Sequence, residues 1–365
     1  MLIWRGAVEQ ALRKQRYGDF AVLDTKEMAG DLGSTRARVP DVVVGPAHLI
    51  GAALRYGYVP VAGVDMRSQA VLVTLSDSAI STFDQAKGAH LGLPQQDSLV
   101  TYLLRGETVA ANTTIQRHFK DVYTSRYQDA LLVCLQMKRC DVVGVERATV
   151  DRWLSVGTKV KVIFQTQTAP GMGIAIRDVA KLMPDALRAD LAETMQSQPA
   201  TVANAAPAPK VVRVEAGDYA YVSTLGYFTP RALAGATVVD AQTVASMLAV
   251  HRARYIDTRN DLEYNAGHVP GATLIPYVEK STKEPDYDAS VDNFDIASLG
   301  ADKNAPLIFG CNGPECWKSH KASIAAIKAG YTRVYWFRGG VPEWRQAGMK
   351  IETGAGAAAS VAAAQ

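Results

Sequence analysis

Only four cysteines and six histidines occur in the 365 residues. No Cys/His spacing among them resembles a zinc site, so neither a metal nor a cofactor is expected. The net charge of +3 is small, and no basic run interleaved with aromatics appears, which excludes nucleic acid as a partner. No apolar stretch is long enough to span a bilayer, and Met1 to Gln10 lacks the hydrophobic core of a signal peptide. Taken literally, that reads as cytoplasmic. Two further absences bear on the thiols. The spacing Cys-x-x-Cys of dithiol oxidoreductases is missing, and so is the Cys-x5-Arg with which a cysteine phosphatase grips its phosphate, since Trp stands at 317.

Large apolar residues are scarce in two places. Gln196 to Lys210 is rich in Ala, Pro, Gln and Ser and reads as a linker, and Gly354 to Gln365 is an Ala/Gly/Ser tail. Elsewhere the composition is ordinary for a globular protein, with 48% hydrophobic and 21% charged residues, and the length suits two domains. The expected division is 1–195, a linker at 196–210, a second domain at 211–353 and a tail from 354. Within 211–236, Tyr219, Tyr221, Tyr227 and Phe228 suggest a lead-in hairpin packed on the second domain.

The most informative segment is a strand, Pro306 to Phe309, that runs through Gly310 and Cys311 to Cys316, Trp317, Lys318, Ser319 and His320 into a helix. The pattern predicts helix from Ser319 to about Ala329, with Gly330 as its C′ residue. A second short strand, Arg333 to Phe337, precedes Gly339, Gly340 and a helix carrying Trp344. Strand, loop, helix, strand predicts a parallel α/β unit. A thiol at the mouth of a helix meets unpaired N–H groups and the positive end of the dipole, which favour thiolate. Cys311 is the candidate nucleophile. Lys318 places positive charge nearby, while His320 reads as part of a solvated first helical turn. Pro314 removes one N–H from the loop and so weakens it as an anion nest.

Upstream lie Asp257-Thr258-Arg259, then Glu263, then Gly267-His268-Val269-Pro270-Gly271-Ala272. With the cysteine loop and the Gly-Gly then Trp arrangement at 339–344, this ordered set resembles the rhodanese family over roughly 237–351. The resemblance implies a doubly wound parallel sheet and a sulfurtransferase in which Cys311 carries a persulfide. Its partners would be a small anionic sulfur donor, such as thiosulfate, and a thiol or cyanide acceptor. Asn312, Gly313, Glu315, Trp317 and Ser319 then form the active-site loop with catalytic Cys311, Lys318 and Cys316. Asp257, Arg259, Glu263 and His268 fall on structural positions. The loop is longer than the common pattern and holds a second cysteine, as in a Cys-Trp subgroup that is often exported. Cys316 is either a resolving thiol or an inert helix-start residue. The alternative to an enzyme is a solute-binding, redox-sensing protein using the Cys311–Cys316 pair.

Strands and helices alternate in the first two hundred residues as well. Asp41 to Val44 runs into Gly45-Pro46 and a helix, Ala70 to Thr74 is a strand, and Asp84 to Gly88 leads to Leu91-Gly92-Leu93 and another helix. With Ser78 to Gly88, Gln95 to Thr101, Tyr127 to Asp129 and Arg139 to Glu146, the order resembles type 2 periplasmic solute-binding proteins of the phosphate and phosphonate kind. That implies a two-lobed α/β domain binding a second small anion. Gly45, Pro46, Arg67, Ser98, Thr101, Tyr127 and Glu146 are the candidate contacts. Asp97 would repel a dianion at its helix terminus unless it is the N-cap. The family begins with a strand before the helix matched by Leu2 to Gln15, so an upstream start and a periplasmic location are expected; Met1 as the real start would mean the cytoplasm. Cys134 and Cys140 could pair in an exported chain, but two buried free thiols are expected, because six residues of separation guarantee no Cα approach.

Overall fold

A computed structural model of the chain describes residues 2–14, 21–23, 27–111, 113–177, 184–197 and 210–354. The expected linker and tail lie almost wholly outside these residues. The chain divides into two compact units, one of residues 1–29 and 41–226, the other of residues 30–40 and 227–365.

The first unit has two lobes. Strands β1 (Val42–Gly45), β2 (Tyr58–Val64), β3 (Arg67–Ser68), β4 (Ala70–Leu75), β5 (His90–Pro94), β6 (Asp121–Ser125), β7 (Val142–Glu146), β8 (Val160–Gln165), β9 (Ala169–Pro170), β10 (Gly173–Arg177) and β11 (Val211–Arg213) follow in chain order. They form sheets ordered β1-β10-β2-β11 and β6-β5-β7-β4-β8. The short pair β3 and β9 lies between them in the chain, with Arg67 opposite Pro170 and Ser68 opposite Ala169. Each lobe buries its own apolar core. Among the described residues no helix is long and apolar enough to cross a membrane.

The second unit is a parallel sheet. Strands β12 (Ala236–Val238), β13 (Arg254–Asp257), β14 (Thr273–Leu274), β15 (Leu307–Gly310) and β16 (Val334–Phe337) lie in the order β12-β16-β15-β13-β14. All neighbours run parallel, as the βαβ pattern requires. The chain leaves β13 for β14 on one side and returns as β15 on the other. The strand order therefore reverses between β13 and β15, the place where open parallel sheets hold their ligands.

Three expectations are corrected by non-local partners. Residues 211–226 do not form a hairpin on the second unit: β11 pairs with β2, and helix Ala220–Ser223 packs on helix Ala47–Arg55 in the first unit. Tyr219 and Tyr221 accordingly belong to the first unit, while Tyr227 and Phe228 belong to the second. Residues 30–40, most of helix Met28–Arg36, join the second unit instead of the first. Cys134 and Cys140 are bonded as a disulfide with Cα atoms 5.3 Å apart, and are not free thiols. Helix Gln128–Gln136 ends through Lys138 at φ +54°, and the N–H groups of Arg139 and Cys140 both donate to the Cys134 carbonyl. That tight turn brings the two residues together.

Candidate active site

At the reversal between β13 and β15, Asp257 pairs with Gly310 in register, and Cys311 follows directly. Thr258 fixes the end of β15, donating both its N–H and its hydroxyl to the Gly310 carbonyl at 3.1 and 3.0 Å. Cys311 is 1% exposed and is bonded to Cys316, with Cα atoms 6.1 Å apart. The helix begins at Trp317, two residues before the predicted start, and its N-cap is Cys316. The thiol at the helix terminus is thus that of Cys316, and Cys311 sits at the strand end. Trp317 is drawn into the helix by burial and by its indole N–H, which donates to the Tyr227 carbonyl at 2.6 Å.

Behind the loop lies a buried polar chain. Asp257 and Arg259 are both fully buried and form an ion pair at 2.7 Å, with Arg259 Nε also donating to Asp257 Oδ1 at 2.9 Å. Burying such a pair costs desolvation, which is offset only when the remaining donors are satisfied. They are: Arg259 Nη2 donates to the Gly267 carbonyl, and Nη1 to Asn312 Oδ1 at 3.2 Å. Asn312 Nδ2 then donates to Glu263 Oε1 at 2.9 Å. Glu263 in turn closes a capping box with Asn260 at the start of helix Asp261–Asn265. His268 is buried, stacked on Tyr264 with ring centroids 3.7 Å apart, and its Nδ1 meets the Tyr264 carbonyl at 3.0 Å. Arg259 and Glu263 reach the loop through Asn312, and Asp257 through Arg259, while the contacts of His268 are with Tyr264 and Glu352.

The rest of the loop is held from three sides. Val341 N donates to the Cys311 carbonyl at 2.9 Å. Gly340 adopts φ +57°, and a Cβ there would collide with that carbonyl, so glycine is required twice over. Thr229 donates its N–H and hydroxyl to the Pro314 carbonyl, each at 2.8 Å. Gly313 N–H lies beside Gly340, Glu315 is buried, and Ser319 Oγ accepts from the Trp336 indole at 3.1 Å. Lys318 is half-buried on the first helical turn.

His320 does not lie on a solvated turn, and it supplies no positive charge. It is buried between Trp317 and Trp336, with centroids 5.0 and 5.1 Å away, and burial with the adjacent Lys321 charge lowers its pKa to about 4. It is neutral at pH 7. Sequence reasoning also missed a contributor from the far end of the chain. The Gly33 carbonyl accepts from Asn312 Nδ2 at 3.4 Å, and a Cβ on Gly33 would lie 2.5 Å from Glu263 Oε1. No local signal in residues 30–40 indicates that partner.

In the first unit, Gly45 ends β1 and Pro46 is the N-cap of helix Ala47–Arg55. Ser98, and not Asp97, caps helix Leu99–Ala110, its Oγ accepting from Thr101 N at 3.2 Å. The Ser98 and Thr101 hydroxyls bond each other at 3.0 Å, and that of Thr101 reaches the Pro94 carbonyl at 3.3 Å. These two helix starts meet through His48, whose Nε2 bonds the Asp97 carbonyl at 2.9 Å while its ring packs on Tyr102. Burial lowers the His48 pKa to about 4, so it bridges as a neutral ring. Tyr127 is exposed at the start of helix Gln128–Gln136. The next residue, Gln128, accepts from Glu146 N, and burial raises the Glu146 pKa. Arg67 lies on β3, exposed and bonded to Thr168 at 3.3 Å.

Comparison with known proteins matches residues 240–347 to the rhodanese-like domain, and residues 41–208 to the ABC transporter, phosphonate, periplasmic substrate-binding protein family. "Thiosulfate sulfurtransferase 16, chloroplastic" of Arabidopsis thaliana is 32% identical over 111 residues, covering 29% of this chain and 86% of that protein. An HTH-type transcriptional regulator of Mycobacterium tuberculosis is 32% identical over 119 residues, 32% of this chain, which spans 46% of the regulator's length. A solved binding protein component of an ABC phosphonate transporter from Pseudomonas aeruginosa is 18% identical, with TM-score 0.44, over 60% of this chain and 77% of that one. The chain belongs to the rhodanese-like sulfurtransferase family through residues 240–347, and carries at 41–208 a domain of the phosphonate-binding periplasmic solute-binding family.

Proposed function

We propose that the second unit transfers sulfane sulfur from thiosulfate, or a related donor, through a persulfide on Cys311. The observation that carries this reading is the position of Cys311, one residue beyond the central strand β15, where the strand order reverses. The reduced Cys311 thiolate attacks the outer sulfur of thiosulfate, the S–S bond to the sulfonate sulfur breaks, and sulfite leaves. An acceptor thiolate then attacks the outer persulfide sulfur, takes it, and returns Cys311 as thiolate; cyanide would leave as thiocyanate. The cycle starts only after a thiol reductant has opened the Cys311–Cys316 disulfide with two electrons.

That disulfide favours a second reading, in which the pair reports redox state and the solute-binding unit recognises a ligand. Mass spectrometry separates the two. A one-sulfur gain on Cys311 after thiosulfate treatment of the reduced Cys316→Ser protein supports transfer. No adduct there, with the native pair forming only its disulfide after an oxidant, supports sensing.

For the first unit the reading is binding of a small anion, and for the whole chain a periplasmic location. Support comes from its family and from the two disulfides, which persist in oxidising compartments. Calorimetric titration with phosphate and methylphosphonate tests the ligand class, and fractionation of cells tests the compartment.

A further inference from the structure

A cleft of about 470 Å³ opens beside the cysteine loop of the second unit. Arg231, Asp240, Pro314, Arg338, Gly339 and Glu343 are among the residues that line it. Gly339 adjoins Gly340, which touches the Cys311 carbonyl, so one wall of the cleft abuts the reacting loop.

Two guanidinium groups line this space, and neither forms an ion pair with a described residue. Arg338 is pinned by Thr229 and Pro230: its Nε donates to Thr229 Oγ1 at 3.2 Å and to the Pro230 carbonyl at 2.9 Å, and Nη2 donates to the Thr229 carbonyl at 2.8 Å. Thr229 is the residue that also holds Pro314, so Arg338 is fixed relative to the loop. Arg231 is exposed and makes no ion pair with a described residue. Two carboxylates, Asp240 and Glu343, line the same cleft, and neither forms an ion pair with the arginines. Asp240 Oδ1 accepts from Thr243 N at 2.8 Å and Glu343 Oε1 from Ala241 N at 2.8 Å, both capping helix Ala241–Ala249. Burial and the neighbouring Arg231 charge each press the Arg338 pKa downward, the electrostatic sign of two cations sharing a site.

We propose that this cleft binds the carboxylate of the thiol that accepts sulfur from Cys311, so that the acceptor is a small organic thiol bearing an anionic group. The planar fork of arginine matches a carboxylate bidentately, which a lysine would not. Size argues for the acceptor over the donor. A cleft of about 470 Å³ lies in the range of organic-ligand sites, far more than thiosulfate fills. The inference rests on the sulfurtransferase reading for the identity of the acceptor, but the binding itself does not.

The test uses the full chain with Cys311→Ser and Cys316→Ser, which cannot transfer sulfur, titrated calorimetrically with glutathione and, as a carboxylate-free control, cysteamine. Glutathione is expected to bind, and Arg231→Gln, an exposed change, to weaken it by about tenfold. Arg338→Lys, which keeps the charge and loses the fork, should weaken it in the same direction. Absence of glutathione binding, or an affinity indifferent to Arg231→Gln, overturns the proposal. In the protein with its cysteines, Arg231→Gln is expected to lower the ratio of kcat/KM for glutathione over cysteamine by about tenfold. An equal fall for both acceptors would mark a loss of fold and also overturn the proposal. If glutathione binds as expected while Cys311→Ser leaves transfer intact, the sulfurtransferase reading fails and the binding site stands.

Discussion

Asn312 donates to Glu263 Oε1 at 2.9 Å, one residue beyond the cysteine that the loop carries. Its amide is the link between the buried Asp257–Arg259 pair and the capping box of helix Asp261–Asn265. Replacing it by leucine leaves Arg259 Nη1 and Glu263 Oε1 buried without this partner. Asn312→Leu is expected to destabilise the second unit by about 2–4 kcal/mol, because unpaired buried charge costs far more than the hydrogen bond contributes. Urea denaturation of the variant checks this, and a loss under about 1 kcal/mol would show that water replaces the amide.

Gly33 provides a separate probe of the same framework. In an exposed helix Gly→Ala would stabilise by about 1 kcal/mol through helix propensity. Here the added Cβ meets Glu263 Oε1 at 2.5 Å, and that carboxylate is held by Asn312 and Asn260. The crowding outweighs the propensity gain, so Gly33→Ala is expected to destabilise, by about 1–2 kcal/mol. The same substitution in a Glu263→Ala background should cost less, and a double-mutant cycle in urea reads the coupling.

The two substitutions also show where the sequence stops being legible. The Asp-x-Arg segment, the cysteine loop and the Gly-Gly turn declare themselves because each joins a short apolar strand to a turn, with punctuation that is local. The parallel sheet and the place of Cys311 follow from them. Gly33 is invisible, since what makes it matter is a carboxylate 230 residues away in the chain. The same holds for Val211 to Arg213, whose pairing with β2 no local pattern encodes. The Cys134–Cys140 bond depends on a left-handed residue at Lys138, a type that seldom takes that conformation. His320 looks in the sequence like an ordinary titrating imidazole, and its burial between two tryptophans, distant in the chain or hidden by the helix register, is what lowers its pKa, with the Lys321 charge adding to it.

That burial sets a pH dependence. The folded pKa of His320 is lowered from 6.5 to about 4, so between those values the unfolded chain binds the proton and the folded one does not. Its contribution to stability is full above pH 6.5 and is lost as pH falls toward 4. His320→Phe removes the titration while keeping a ring between Trp317 and Trp336. The slope of stability against pH across that window should be shallower in the variant than in the native chain. His48, lowered to the same value by burial in the first unit, contributes a slope of its own in both proteins, so the comparison is the difference between them. Identical slopes would mean that His320 is solvated in the folded state.

Cys316 is the N-cap of the helix, so when the pair is reduced its thiol, more than that of Cys311, feels the unpaired N–H groups of the first turn. A thiolate there, bonded to Cys311 in the oxidised protein, is placed to attack Cys311 Sγ in the persulfide state. The new bond is the Cys311–Cys316 disulfide, the bond to the outer sulfur breaks, and hydrosulfide leaves; two thiols are oxidised and one sulfane sulfur is reduced. The reduced native protein given thiosulfate and no acceptor should therefore release about one equivalent of sulfide and stop as the disulfide, by the balance of that exchange. Cys316→Ser should instead accumulate the persulfide on Cys311, release no sulfide, and still hand sulfur to an added thiol. Cys311→Ser should do neither. Sulfide release by Cys316→Ser at the native rate would remove Cys316 from the chemistry and leave it as a helix-start residue.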